Sequence, residues 1–242
     1  MAYMKEHPDI MVCATNYEIF GLINSIPKNI AINNMEQLRI NLLFSGCDIC
    51  HPSVMINHEM LVKNQIYYNE ESKFAQDYEM WVNILQIGLI TIIPDILLRK
   101  RCIESAASVK HRAEQIDTIK RIQKKQLQKL LGSVSDKEID MHFAICHPYE
   151  YNNIRINDET KVWTEKLIKA NNENRLYNRN MFSVHVYMNL LRVLFHSLRF
   201  EKSINRDVRL IIHYFPRNIY GIKALLSAIK KKYGEFRLYA KL

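Results

Sequence analysis

The chain has 242 residues, 48% of them hydrophobic and 24% charged, with a formal net charge of +9. Apolar and aromatic side chains are spread along its whole length, which excludes a disordered chain and leaves room for one or two packed domains. The basic balance fits nucleic acid, an anionic membrane surface, anionic substrates or solubility alone, and the Lys and Arg residues are scattered except in the last third.

The first residues, 2–7, read as the end of a helix stopped by Pro8. Ile10 to Ala14 is a short apolar strand. Residues 16–33 are loop-rich, with Gly21, Pro27 and several Asn. Asn34 is placed to cap a helix over 35–44, with Leu38, Leu42 and Leu43 on its apolar stripe. Cys47-Asp48-Ile49-Cys50 is a CxxC without a second one. It reads either as a redox pair or half a zinc site, or as small buried side chains. The odd count of five cysteines and the lack of a signal peptide point to reduced thiols in the cytoplasm.

A short strand over 52–56 is followed by a helical turn at 59–64. Residues 77–88 form an amphipathic helix carrying Tyr78, Trp81, Val82 and Leu85, with Gly88 as its stop. Leu89 to Ile93 is strand-like, Pro94-Asp95 makes a turn, and an extended segment starts at Ile96. The apolar stretch 84–98 is broken by Gln86, Gly88, Pro94 and Asp95, too short and too interrupted for a membrane span. From Ser108 onward the chain is helical: 111–131 ended by Gly132, then 135–146, 158–175 and 180–200. A last basic helix over 216–232 presents Ile219, Ile222, Leu225, Leu226 and Ile229. The expected fold is therefore α/β, leaning to α+β, with a mixed piece at 1–110 and a helical piece at 111–242.

Four segments in order resemble family 2 glycosyltransferases of the GT-A type. Tyr3 to Val12 is similar to the helix–strand junction after the family's metal-binding Asp-x-Asp. His51-Pro52-Ser53-Val54-Met55-Ile56 resembles its His-Pro-Ser-Val-Met-Ile-Arg segment. Ala75-Gln76-Asp77-Tyr78-Glu79-Met80-Trp81 resembles its Glu-Asp-Tyr-Glu-Leu-Trp motif. Leu97 to Arg101, followed by Ser108, resembles a strand and loop, with Gln115 in the helix beyond. The tail around Trp163 and Asn171 is similar to the extra helices of bacterial polysaccharide transferases.

The resemblance implies a partial GT-A sheet and an inverting, nucleotide-sugar-dependent transferase of bacterial surface polysaccharide synthesis. Such an enzyme needs a carboxylate to take the proton from the acceptor hydroxyl. By resemblance that base is Asp77, at a helix start whose N–H groups and dipole favour its ionised form; a plain helix N-cap is the other reading. Gln76, Tyr78, Trp81, His51 and Ser53 would face the acceptor sugar, although Trp81 also suits a core position and His51 a structural hydrogen bond. Arg101 and Ser108 would reach the donor diphosphate, a guanidinium and a hydroxyl being suited to phosphate oxygens.

Departures accompany the matches. Gln76 replaces the family's Glu, Asn57 its Arg and Ile103 its His. The Asp-x-Asp that holds Mg²⁺ or Mn²⁺ with the nucleotide sugar is missing, so no metal ligand and no cofactor are assigned within the chain. The expectation is a truncated acceptor-side half, inactive alone, whose exposed sheet edge favours a homo-oligomer. The alternative is a non-catalytic module that binds a glycan, a lipid-linked acceptor or a partner protein. No nucleic-acid motif accompanies the aromatics Tyr149, Tyr151 and Tyr177, so nucleic acid is not expected as a partner.

Localisation follows as cytoplasmic, peripheral at the inner face of the plasma membrane. Lys223, Lys230, Lys231, Lys232, Arg237 and Lys241 make 216–242 basic, which suits an anionic membrane surface. Co-sedimentation with vesicles containing anionic lipid is expected for the full chain and is lost on truncation after Tyr220.

Overall fold

The computed structural model describes residues 2–26, 34–44, 49–103, 110–151 and 154–200. Cys47, Ser108 and the basic helix expected over 216–232 lie outside the described residues. The fold is α+β: helices and a small mixed sheet of three strands. It divides into two compact units, Met1–Gln123 and Lys124–Leu242.

In the first unit, α1 (Ala2–Glu6) leads into β1 (Ile10–Gly21). Then come α2 (Met35–Phe44), a 3-10 turn at His51–Ser53, β2 (Met55–Ile56) and α3 (His58–Lys63). α4 (Gln76–Ile84) and β3 (Leu89–Cys102) follow. The first part of α5 (Arg112–Leu131) closes the unit. Strand order is β2-β1-β3, with β1 antiparallel to β2 and parallel to β3.

Two strands are longer than the sequence suggests. β1 runs on through the Asn-rich stretch to Gly21, and β3 runs through Pro94-Asp95, which was expected to turn. The register jumps from Thr15↔Ile93 to Asn16↔Ile96, so Pro94 and Asp95 form a bulge. Proline has no N–H to give to a ladder and is tolerated at such a break. The Asn16 amide bridges the gap by donating to the Pro94 carbonyl at 2.8 Å. A residue that weakens strands in general is here the device that joins two halves of one.

The helices cover this sheet with the expected apolar stripes. Leu38, Leu42 and Leu43 of α2 are buried, as are Ile40 and Phe44. Asn34 caps that helix, its side chain accepting from the Gln37 N–H at 3.1 Å. Met80, Trp81, Val82 and Ile84 of α4 pack with Met11, Val12, Ile90 and Ile92 of the sheet in one core. Gly88 closes the end of α4, its N–H donating to the Ile84 carbonyl at 2.8 Å, and it has a second role. A Cβ there would lie 1.9 Å from the Met11 sulfur. Glycine at 88 is needed so that the α4–β3 connection can pass over β1.

The second unit, after the end of α5, holds α6 (Asp136–Cys146), α7 (Asp158–Asn174) and α8 (Arg179–Phe200). Gly132, with φ of +77°, ends α5 as its sequence suggests. α6 starts with a capping box between Ser135 and Glu138, and α7 with a reciprocal pair between Asn157 and Thr160. Phe143, Trp163, Leu167, Phe182, Leu190 and Leu194 form the apolar centre. Asn171 clamps the α7–α8 connection: its amide donates to the Tyr177 carbonyl at 3.0 Å and its oxygen accepts the Tyr177 N–H at 2.9 Å. Among the described residues no helix is long and apolar enough to cross a membrane.

His185 of α8 is kept neutral. Burial first, and the nearby Arg192 charge second, push its pKa from the ordinary 6.5 down to about 3. Unfolded histidine takes its proton near 6.5, so between these two values the unfolded chain binds more protons than the folded one. Stability of this unit therefore falls as pH drops below about 6.5, by up to about 1.4 kcal/mol per pH unit. Urea melts at neutral and mildly acidic pH check this. His185→Gln is expected to flatten the dependence.

Candidate functional site

A cleft of about 540 Å³ opens at the first turn of α4. Its walls are Tyr68, Asn69, Glu70, Lys73 and Phe74 from the loop before the helix, Gln76 and Asp77 from the helix itself, and Gln115 from α5. All belong to the first unit. The loop supplies most of the wall, so the cleft exists only as far as the loop is held.

It is held by side chains that the sequence motifs did not single out. Glu79, on the buried side of α4 and 6% exposed, accepts hydrogen bonds from the Asn69 amide at 2.9 Å and from the Ser72 hydroxyl. Arg121 of α5 donates to the same Ser72 oxygen at 2.6 Å and to the Glu71 carbonyl at 3.4 Å. Gln115 donates to the Phe74 carbonyl at 2.8 Å, and Thr118 to the Lys73 carbonyl at 3.3 Å. Phe74 has a φ of +64°, a left-handed conformation that costs a non-glycine residue about 1 kcal/mol. Its ring stacks on His111, centroids 4.0 Å apart and planes 6° from parallel. A buried carboxylate is costly unless it is hydrogen-bonded, and here two loop residues donate to one of its oxygens, Oε2. The signal for Glu79 was the second acidic residue of Asp77-Tyr78-Glu79, two positions on and so on another face of the helix.

Asp77 is the second residue of α4, and Ala75 occupies the cap position without a side-chain hydrogen bond. Asp77 is therefore not the N-cap. One carboxylate oxygen accepts the Tyr78 N–H at 2.8 Å. It is the only hydrogen bond of that carboxylate among the described residues. Gln76 is exposed on the cleft wall beside it.

Tyr78 and Trp81 do not face the cleft. Tyr78 is 3% exposed and donates its hydroxyl to the Leu42 carbonyl, and Trp81 is fully buried. Both lie on the helix face that packs on the sheet, so the motif's aromatics serve the core. Ser53 is also structural. Its hydroxyl donates to the Thr15 carbonyl at 3.0 Å or the Cys50 carbonyl at 2.8 Å, and accepts the Thr15 N–H at 3.2 Å. His51 packs edge-on to Tyr68, centroids 6.0 Å apart, and against Trp81 at 5.8 Å. Its Nδ1 is buried with no hydrogen-bond partner among the described residues, so the expected structural hydrogen bond at that atom is missing. Asn57, read as the loss of a family arginine, caps α3 by accepting the Met60 N–H at 3.2 Å.

Arg101 does not line the cleft. Together with Arg99 it lies over the Phe20 ring, at 5.5 Å and 4.9 Å, and Arg99 also pairs with Glu18. Strand alternation sends Lys100 to the opposite face, where it sits 6.0 Å from the Tyr17 ring. Lys100 is within electrostatic reach of Cys50, and so is Asp77. Burial pushes the Cys50 thiol up, the Lys100 charge and Ser53 hydrogen bonds oppose that, and the Asp77 charge adds to it. A raised thiol pKa disfavours the thiolate needed for redox or zinc chemistry, and Cys50 is a buried free cysteine. Tyr68 is pushed up first by burial and second by the charge of Asp77.

Among the described residues no group of three or more His, Cys, Asp or Glu side chains is arranged to hold a metal ion. No protein-family model matches the chain, and no curated protein matches it.

The loop clamp has a measurable consequence. Glu79→Ala leaves the Asn69 amide and the Ser72 hydroxyl without their acceptor in a buried place. The loss expected in a thermal or urea melt is about 2 kcal/mol or more. Glu79→Gln, which keeps an accepting oxygen, is expected to lose less.

Proposed function

We propose that the first unit is the acceptor side of an inverting, nucleotide-sugar-dependent glycosyltransferase of bacterial surface polysaccharide synthesis. The observation that carries the reading is Asp77: a carboxylate in the first turn of a helix, open to a cleft of about 540 Å³. The ordered resemblance of His51-Pro52-Ser53-Val54-Met55-Ile56 and Gln76-Asp77-Tyr78-Glu79 to the family's segments supports it.

In this reading an acceptor sugar occupies the cleft with one hydroxyl against Asp77. As the hydroxyl oxygen attacks the anomeric carbon, its proton passes to the free carboxylate oxygen. The bond from that carbon to the diphosphate breaks, and its electron pair leaves with the diphosphate. Attack opposite to departure inverts the configuration. The start of α4 places Asp77 where backbone N–H groups point at its carboxylate, one of them the Tyr78 N–H. The neutral Gln76 adds no second negative charge beside it.

The family's Mg²⁺ or Mn²⁺ finds no fitting donor set among the described residues, so none of these residues is given the ion or the diphosphate. Arg101 is not part of the reading, since it lies over Phe20. Ser108 lies outside the described residues.

The test is release of free nucleotide from uridine or guanosine diphosphate sugars with Mn²⁺ and an oligosaccharide acceptor, followed by titration calorimetry. Acceptor-dependent release that falls about 100-fold or more in Asp77→Asn supports the reading. Release that Asp77→Asn leaves unchanged removes Asp77 from the chemistry. Saccharide binding without release identifies instead a non-catalytic glycan-binding module built on the same cleft.

A further inference from the structure

We infer that Tyr68, rather than the motif's Trp81 or Tyr78, is the aromatic platform on which a pyranose ring stacks in the Asp77 cleft. The inference rests on the functional reading above and names the residue that would give the cleft its affinity for sugar.

The inventory of cleft groups leads to it. Asn69 and Gln115 have their amides committed to the frame: Asn69 donates to Glu79 and accepts from the Glu71 N–H, and Gln115 donates to Phe74 and accepts from Arg112. The Phe74 ring is stacked on His111. What is left for a ligand is the Tyr68 ring, the Gln76 amide, the open oxygen of Asp77, and the charges of Glu70 and Lys73. The last two make no ion pair or side-chain hydrogen bond among the described residues.

One aromatic face beside carboxylate and amide groups is the arrangement a sugar ring requires. The C–H face of a pyranose is apolar and packs on an aromatic ring, while its hydroxyls donate to carboxylates and exchange hydrogen bonds with amides. Tyr68 is 43% exposed, yet its ring is braced edge-on by His51 at 6.0 Å, and the loop carrying it is clamped through the adjacent Asn69 to Glu79. A braced ring loses little freedom when a ligand stacks on it. Its phenol group is close enough to Asp77 to feel that charge, so ring and carboxylate can address one sugar residue. Glu70 and Lys73, of opposite sign on the same wall, would set which ring substituents are accepted.

Saturation-transfer NMR on the full chain, with methyl glycosides of glucose, galactose and mannose as probes, tests this. The expected result is transfer from aromatic protein protons to the C–H face of at least one glycoside. Tyr68→Phe should keep it, and Tyr68→Ala should weaken binding about tenfold or more with an unchanged melting temperature. If Tyr68→Ala binds as the wild type does, the platform lies elsewhere and the functional reading stands. If no glycoside shows transfer to the wild-type chain, both readings fall.

Discussion

The first unit is organised by one constraint: β1 and β3 lie side by side and point the same way. A parallel pair cannot be joined by a tight turn, so the chain between them must travel back along the sheet. Most of the cleft wall is carried on that return path, by the loop and α4, and α5, which follows β3, adds Gln115. The last helix of the return runs into β3 through Gly88. Asp77 in its first turn and Lys100 late in that strand are each within electrostatic reach of the Cys50 thiol.

Within that frame the loop before α4 is anchored in the core by Ile66 and Ala75, and the stretch between them is held by polar clamps. Glu79 reaches it from one helix, and Arg121, Thr118 and Gln115 from another. Each bond is worth about 1 kcal/mol net. Because they share Ser72 and neighbouring backbone, they act as a group. The division of labour in the Asp77-Tyr78-Glu79 run is then physical. The first residue looks into the cleft, the second anchors the helix on α2 through Leu42, and the third fastens the loop.

Much of this architecture was legible in the residue order. Local devices read well: the Asn34 cap, the Gly132 stop and the Ser135 start of α6 each need only a few neighbouring residues to act. The errors concern contacts far apart in the chain. Asn16 and Pro94 look like loop and turn residues because each is poor in a strand alone; they satisfy one another across 78 positions. Trp81 and Tyr78 suit either sugar contact or the core, and the choice of the core is set by how α4 lies on the sheet. Arg101 and Lys100 are neighbours in sequence and opposites in space, and only the pairing with Phe20 and Tyr17 shows which is which. Asp77 and Gln76 line the cleft, and the loop wall around them depends on clamps that no motif announced.

The close passage of Gly88 over Met11 links two positions that look unrelated in the sequence. A methyl group at 88 would occupy the space that the Met11 thioether now fills, so the two side chains share one fixed volume. A related chain with alanine at the first position needs a shorter side chain at the second, or a different course for the thioether. The pair should therefore drift together as sequences diverge, the size of one setting the ceiling for the other.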